Sequence, residues 1–238
     1  MSDSSTYSFD TMHQDMIHDA QVDYYGNHLA TCSSDKTIKI WKLEDDSKPQ
    51  EIAVIKGHEG PVWQVAWLHP KFASHGMQIL ASCGFDGKVC LWQQKPTMQW
   101  EKMHQYSHGA SVNSVSAAPH DLGLHILSAS ADGTIGMASY DDHKGSFSVV
   151  TKDAHQIGVN AVSWAPSLAP GDLASTSPPT SLQRRFVSAG CDNLVKVWAV
   201  EGSDWKQQSL GDIVEGPNLN DWVRDVAWAP AAGLLVSL

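Results

Sequence analysis

The stretch Leu29–Trp41, LATCSSDKTIKIW, has an Asp at position 35, a hydroxyl residue four positions before it and a Trp six positions after it. Three later stretches align with it without gaps: LASCGFDGKVCLW at 80–92, LSASADGTIGMA at 127–138 and VSAGCDNLVKVW at 187–198. The Asp column is Asp35, Asp86, Asp132 and Asp192; the hydroxyl column is Thr31, Ser82, Ser128 and Ser188. The aromatic column is Trp41, Trp92 and Trp198, with Ala138 in the third copy.

A second block lies upstream of each unit after the first: VWQVAW (62–67), VNSVSAAP (112–119), VNAVSWAP (159–166) and VRDVAWAP (223–230). Four residues before its first Val stands His58, His108 or His155. In the first copy the ungapped equivalent is Asp15, with His13 and His18 nearby, and in the fifth it is Leu219. The histidine column therefore reads as present in three copies of five.

Each copy consists of short alternating or β-branched runs separated by Gly, Asp, Asn or Pro, which is the signature of strands and tight hairpins. No copy shows a sustained helical pattern of apolar residues. Spacings of 46 to 60 residues between successive Asp positions predict one four-stranded blade per repeat with room for long loops. The fold expected is all-β: a WD-repeat propeller of four complete blades plus a partial fifth, forming an open ring. The units are about 10–48, 52–97, 102–150, 151–205 and a partial 206–238, with a loop insertion at 167–185 rich in Pro, Ser and Gly.

Composition narrows the function. With 16 Lys and Arg against 26 Asp and Glu the net charge is −10, which disfavours direct nucleic-acid binding, since that requires clustered cations. No apolar run is long enough to span a membrane, and the N-terminus lacks a secretory pattern. The four cysteines Cys32, Cys83, Cys90 and Cys191 form no CxxC pair and fit reduced thiols in cytosol or nucleoplasm.

A Ser, His and Asp together invite a catalytic reading, but the same trio recurs in several copies, whereas an active site is needed once. The bracing reading is preferred: a buried Asp requires donors, and a His, a hydroxyl and an indole N–H supply them. It covers Thr31, Asp35 and Trp41; His58, Ser82, Asp86 and Trp92; His108, Ser128 and Asp132; and His155, Ser188, Asp192 and Trp198. Without Trp at 138, the third blade is expected to be the least well braced. No catalytic residue, metal ligand or cofactor is assigned: His104 and His108 lack a helix to align them and a Cys pair to join them, and no phosphate-cradling glycine motif occurs. On the channel face, the residue after the first Val of each block gives Trp63 and Arg224, types enriched at binding hot spots, with Phe85 and Trp222 as loop neighbours. Propeller cores also use aromatics between blades, and packing is the preferred reading of each of the four.

The run DTMHQDMIHDAQVDYYG (10–26), with GHEGPVWQVAW, SVNSV, APHDLGL, NAVSWAPSLAPG, RRFVSAGCDNLVKVW and DWVRDVAWAP, closely resembles the "secretory thirteen" subfamily of WD-repeat proteins. The resemblance spans roughly Phe9 to Pro230. It implies a scaffold without enzymatic activity, the β-propeller of the COPII outer coat in ER-to-Golgi transport that also serves in the outer-ring Y-complex of the nuclear pore. It implies a peripheral location on ER-derived vesicles and at the nuclear envelope. The implied partners are an α-solenoid coat subunit or nucleoporin, which inserts a blade into the open ring, and a nutrient-signalling complex at the lysosome or vacuole. Tyr7, Ser8, Phe9, Asp10, Thr11 and Met12 precede the first repeat and are expected to border that opening. An unclosed ring exposes strand edges that a partner can extend. The subfamily carries six blades, so the chain is also expected to be a shortened form. A peptide-reading adaptor using the channel face is the alternative.

Overall fold

The computed structural model of the chain describes residues 8–44, 47–73, 77–167, 182, 184–202, 204–208, 221–229 and 235–237. Four antiparallel four-stranded sheets follow one another along the chain. The first holds β1 (Ile17–Val22), β2 (His28–Ser33), β3 (Thr37–Lys42) and β4 (Gln50–Lys56). The second holds β5 (Val62–Trp67), β6 (Ile79–Gly84), β7 (Lys88–Gln94) and β8 (Trp100–Ser107). The third comprises β9 (Val112–Ala117), β10 (His125–Ser130), β11 (Thr134–Asp141) and β12 (Ser146–Asp153). The fourth comprises β13 (Val159–Trp164), β14 (Arg185–Gly190), β15 (Val195–Glu201) and β16 (Asp204–Gln208), and a pair, β17 (Val226–Trp228) with β18 (Leu235–Ser237), begins a fifth. Two single 3-10 turns, Pro70–Phe72 and His120–Leu122, are the only helical elements among the described residues. The architecture is an open propeller, and β4 closes the first sheet although the second sequence unit, from about 52, begins inside it.

The Asp column explains the turns between second and third strands. Each Asp accepts the N–H two residues on, from Thr37, Lys88, Thr134 and Leu194 at 2.9, 3.1, 2.9 and 3.3 Å. Such a side chain mimics a turn of backbone. The residue between lies at positive φ in every case: Lys36 at 70°, Gly87 at 72°, Gly133 at 89° and Asn193 at 64°. Gly and Asn are the residues that tolerate this region, so Lys36 is the strained member.

Apolar residues of each sheet pack on the next. Ala30, Cys32, Ile38, Ile40 and Ile55 of the first blade meet Leu80, Cys90 and Trp92 of the second. Ile79, Ala81, Cys83, Val89 and Leu91 meet Ile126 and Ala138 of the third, and Leu127, Ile135 and Met137 meet Phe186 and Trp198 of the fourth. Side chains also stitch the inner strands together. Asp19, Gln64 and Ser114 accept the backbone N–H of Val65, Val115 and Val162 in the following blade at 3.2, 2.7 and 3.3 Å. A buried strand N–H without a neighbour on its own sheet is thereby satisfied by the preceding one.

Candidate functional site

The second blade shows the repeated network in full. Trp92 Nε1–H donates to Ser82 Oγ at 2.8 Å, Ser82 Oγ lies 2.8 Å from His58 Nε2, and His58 Nδ1 lies 3.0 Å from Asp86 Oδ2. One assignment of protons satisfies every atom: indole to hydroxyl, hydroxyl to Nε2, Nδ1–H to carboxylate. Burial pushes the His58 pKa down despite the facing Asp86, so the ring is neutral, as that assignment requires. Burial opposes ionisation of Asp86, but the Glu59 N–H, His58 and the Lys88 N–H outweigh it and hold the carboxyl below its usual range. The fourth blade repeats this with Trp198 to Ser188 and Ser188 to His155 Nε2 both at 2.8 Å, and His155 Nδ1 to Asp192 at 2.7 Å. Ser82, Ser128 and Ser188 are fully buried, so no substrate reaches these hydroxyls.

In the first blade Trp41 Nε1–H donates to Thr31 Oγ1 at 3.0 Å, and the imidazole is that of His13, 3.0 Å from Thr31 and 2.7 Å from Asp35. The ungapped alignment had put Asp15 in this column. A bulge corrects it: the register slips between Ile17 and Asp19 as it does between Val62 and Gln64, and between Val159 and Ala161. Ile17 is therefore the counterpart of Val62, and the residue four before it is His13. The same shift puts His18, rather than Ala20, in the column of Trp63, Asn113 and Asn160. The signal was present in the apolar Ile17, which the search for Val passed over.

The third blade departs from expectation in a second way. With Ala138 in place of Trp, the donor to Ser128 Oγ is the hydroxyl of Tyr106, at 3.0 Å, reaching across from β8 of the preceding blade. Glycine at 136 leaves room for the Ser128–His108 pair, since a Cβ there would stand 2.7 Å from Ser128 Oγ and 2.9 Å from His108 Nε2. His108 Nε2 bonds Ser128 at 2.8 Å, while its Nδ1 reaches Thr134 Oγ1 at 2.9 Å, which in turn donates to Asp132 at 2.6 Å. The missing indole is thus replaced, and no bond is lost. Neither His13 nor Tyr106 was singled out from the sequence.

The channel-face residues separate into two groups. Trp63 is half-buried, donates to Ser111 Oγ at 2.9 Å and meets the edges of His18 and Phe85 at centroid distances of 4.5 and 6.3 Å. Asn113 and Asn160 in the same column donate to the carbonyls of Val159 and Val223 in the next blade, at 2.9 and 2.8 Å, so the column also clamps blades together. Phe85 is 62% exposed and Trp222 49%, and Arg224 stacks over Trp222 at 4.9 Å. No contact joins the Trp63 group to the Trp222 pair among the described residues.

Ser8, Phe9, Asp10, Thr11 and Met12 form no strand and lie against the free side of the first blade; Tyr7 and most of the 167–185 insertion fall outside the described residues. Phe9 meets the ring of Trp41 edge-on at 5.1 Å. Asp10 Oδ1 accepts the Met12 N–H at 2.8 Å. The ammonium of Lys39 donates to Thr11 O at 2.9 Å, Met12 O at 3.2 Å and Glu51 at 2.8 Å. Further in, Leu29 remains partly exposed, whereas its counterparts Leu80, Ile126 and Phe186 are at 0%. Among the described residues no group of three or more His, Cys, Asp or Glu side chains is placed to hold a metal ion. Burial pushes the Cys32 thiol up to about 12 and the Cys90 thiol to about 11, far from the thiolate form a ligand needs.

The WD domain, G-beta repeat family matches residues 4–42, 49–93 and 100–137. Over 225 residues the chain is 48% identical to the Protein transport protein SEC13 of Coccidioides immitis, covering 92% of this chain and 71% of that one. It is 45% identical over 228 residues to the Protein transport protein sec13 of Emericella nidulans, with the same two shares. It is 44% identical over 230 residues to the Protein SEC13 homolog of Drosophila melanogaster, covering 94% of this chain and 61% of that one.

Proposed function

The chain belongs to the SEC13 family of WD40-repeat proteins, and on that premise we propose that it is a non-enzymatic scaffold of the COPII vesicle coat and of the nuclear pore outer ring. In both, an α-solenoid partner adds a blade to the open propeller. The role of protein transport scaffold comes from the family, whose fungal members bear that name. What supports a docked partner is the half-covered side of the first blade at Leu29, where the second, third and fourth blades bury the equivalent Leu80, Ile126 and Phe186. A packed sheet face is stabilised by roughly 25 cal/mol for each Å² of apolar surface removed from water, which makes that side a ready docking surface. The location is peripheral, on ER-derived vesicles and at the nuclear envelope, and a lysosomal or vacuolar nutrient-signalling complex is a further assembly for the same surface.

The second reading, a peptide-reading adaptor, is favoured by exposed Phe85 and the Trp222–Arg224 stack. Affinity purification of the tagged chain from cells, with partners identified, separates the two. Under the scaffold reading α-solenoid coat or pore proteins are recovered, are lost when residues 1–12 are deleted, and persist in the Trp63→Ala, Arg224→Ala double variant. The reverse pattern assigns the adaptor role. Recovery of ubiquitin-ligase components alone overturns the scaffold.

A further inference from the structure

The turn between β1 and β2 is fastened by a buried carboxylate. Asp23 accepts the N–H groups of Asn27 and His28 at 2.8 and 3.1 Å, the His28 ring Nδ1–H at 2.9 Å and the Gln78 amide N–H of the second blade at 2.7 Å. Four donors use up that carboxylate, so it has no lone pair left for a ligand. The backbone of the turn is closed as well, with the Asp23 N–H on His28 O at 2.8 Å and the Gly26 N–H on Asp23 O at 3.1 Å.

This fixed turn holds two rings in solvent. Tyr24 is 65% exposed and Tyr25 66%, so core packing does not account for either. They meet edge to face at a centroid distance of 5.2 Å, and Tyr24 meets His69 of the second blade in the same way at 4.5 Å. His69 stacks on His120 of the third blade at 4.1 Å, which makes a continuous row of four rings across three blades, at the end of the sheets opposite the Asp turns. Exposed apolar groups gathered in one place mark an interaction surface. Beside the row opens a cleft of about 460 Å³, lined by Tyr24, Tyr25, Trp67, His69, Pro70 and Gln78, with Lys71 at its rim. The hydroxyls of Tyr24 and Tyr25 and the ammonium of Lys71 are donors without a partner among the described residues. Gln78 Oε1 is a buried acceptor without one.

We propose that this cleft between the first and second blades binds a proline-rich segment of a partner protein. Such a segment is an extended left-handed helix without internal hydrogen bonds, and it presents flat apolar rings to Tyr24, Tyr25 and Trp67 and free carbonyls to the hydroxyls and to Lys71. A residue other than proline within it supplies the N–H for Gln78. A cationic segment finds no answering carboxylate, since Asp23 is fully engaged, and an acidic one meets a single lysine on a chain of net charge −10. Both the turn and the ligand are set in shape beforehand, which keeps the ordering cost of binding low. The site goes beyond the scaffold reading and does not depend on it.

The test is fluorescence anisotropy with the full chain and three labelled peptides of equal length: repeats of Pro-Pro-Ala-Pro, a lysine-rich peptide and a glutamate-rich one. Saturable binding of the proline peptide alone is expected. The Tyr24→Ala, Tyr25→Ala double variant is expected to weaken it by at least about tenfold, because two ring platforms are lost. The Tyr24→Phe, Tyr25→Phe variant keeps the rings, removes the hydroxyl donors and is expected to weaken it about threefold. Both tyrosines are exposed, so the unfolding midpoints of these variants are expected to match the wild type, and Phe85→Ala, at the other end of the sheets, is expected to leave binding unchanged. Failure of the wild-type chain to bind the proline peptide, equal binding of a charged peptide, or unchanged binding by the double alanine variant overturns the proposal, and none of these outcomes bears on the scaffold reading.

Discussion

Two side chains, Trp92 and His58, converge on the hydroxyl of Ser82, and neither has another partner for the atom it presents there. Replacing Ser82 by Ala strands the Trp92 indole N–H and the His58 Nε2 in a fully buried site. Two unpaired polar atoms at about 1–3 kcal/mol each place the expected loss at about 2–6 kcal/mol, read as a shift in the urea unfolding midpoint. A change below about 0.5 kcal/mol would mean that the hydroxyl is not the hub. Such a hub is legible in a sequence because its members recur at fixed offsets, as Ser82, Asp86 and Trp92 do. His13 escaped because the first blade carries Ile17 where the later blades carry Val62, Val112 and Val159, so an alignment on Val slides by two residues.

At the scale of a blade, the third sheet shows how one position can compensate for another. Ala138 and Gly136 empty the space an indole and a lysine stem fill elsewhere, and Tyr106 crosses from β8 to close the bond. Tyr106→Phe keeps the ring and removes the hydroxyl, leaving Ser128 with His108 and the weaker contact to Gly136 O at 3.3 Å. The expected cost is about 1 kcal/mol in unfolding free energy. A loss under a few tenths would show that the hydroxyl contributes nothing and that the third blade is under-braced after all. Strand order and turn chemistry were readable from Asp, Gly and β-branched spacing alone. The donor was not, because it belongs to a different repeat and only the packing of one sheet on the next brings it near.

For the whole molecule the decisive feature is an asymmetry between ends of the same repeat. Every later blade finds a sheet against its Leu80, Ile126 or Phe186 position, and the first finds a nine-to-twelve segment clamped by Lys39 and a partly bare Leu29. The repeat count together with the resemblance pointed to an open ring, and the residues ahead of Asp15 were expected to border its opening. An ordinary outer strand of the first blade was one reading of those residues, but they form no strand, and their contacts to Lys39 and Trp41 correspond to no motif. The most direct measurement is a cryo-electron microscopy map of the complex purified with the wild-type chain. The account predicts partner strands packed across Leu29 and Trp41. Partner density over Phe85 and Trp222, with the side of the first blade bare, would contradict it.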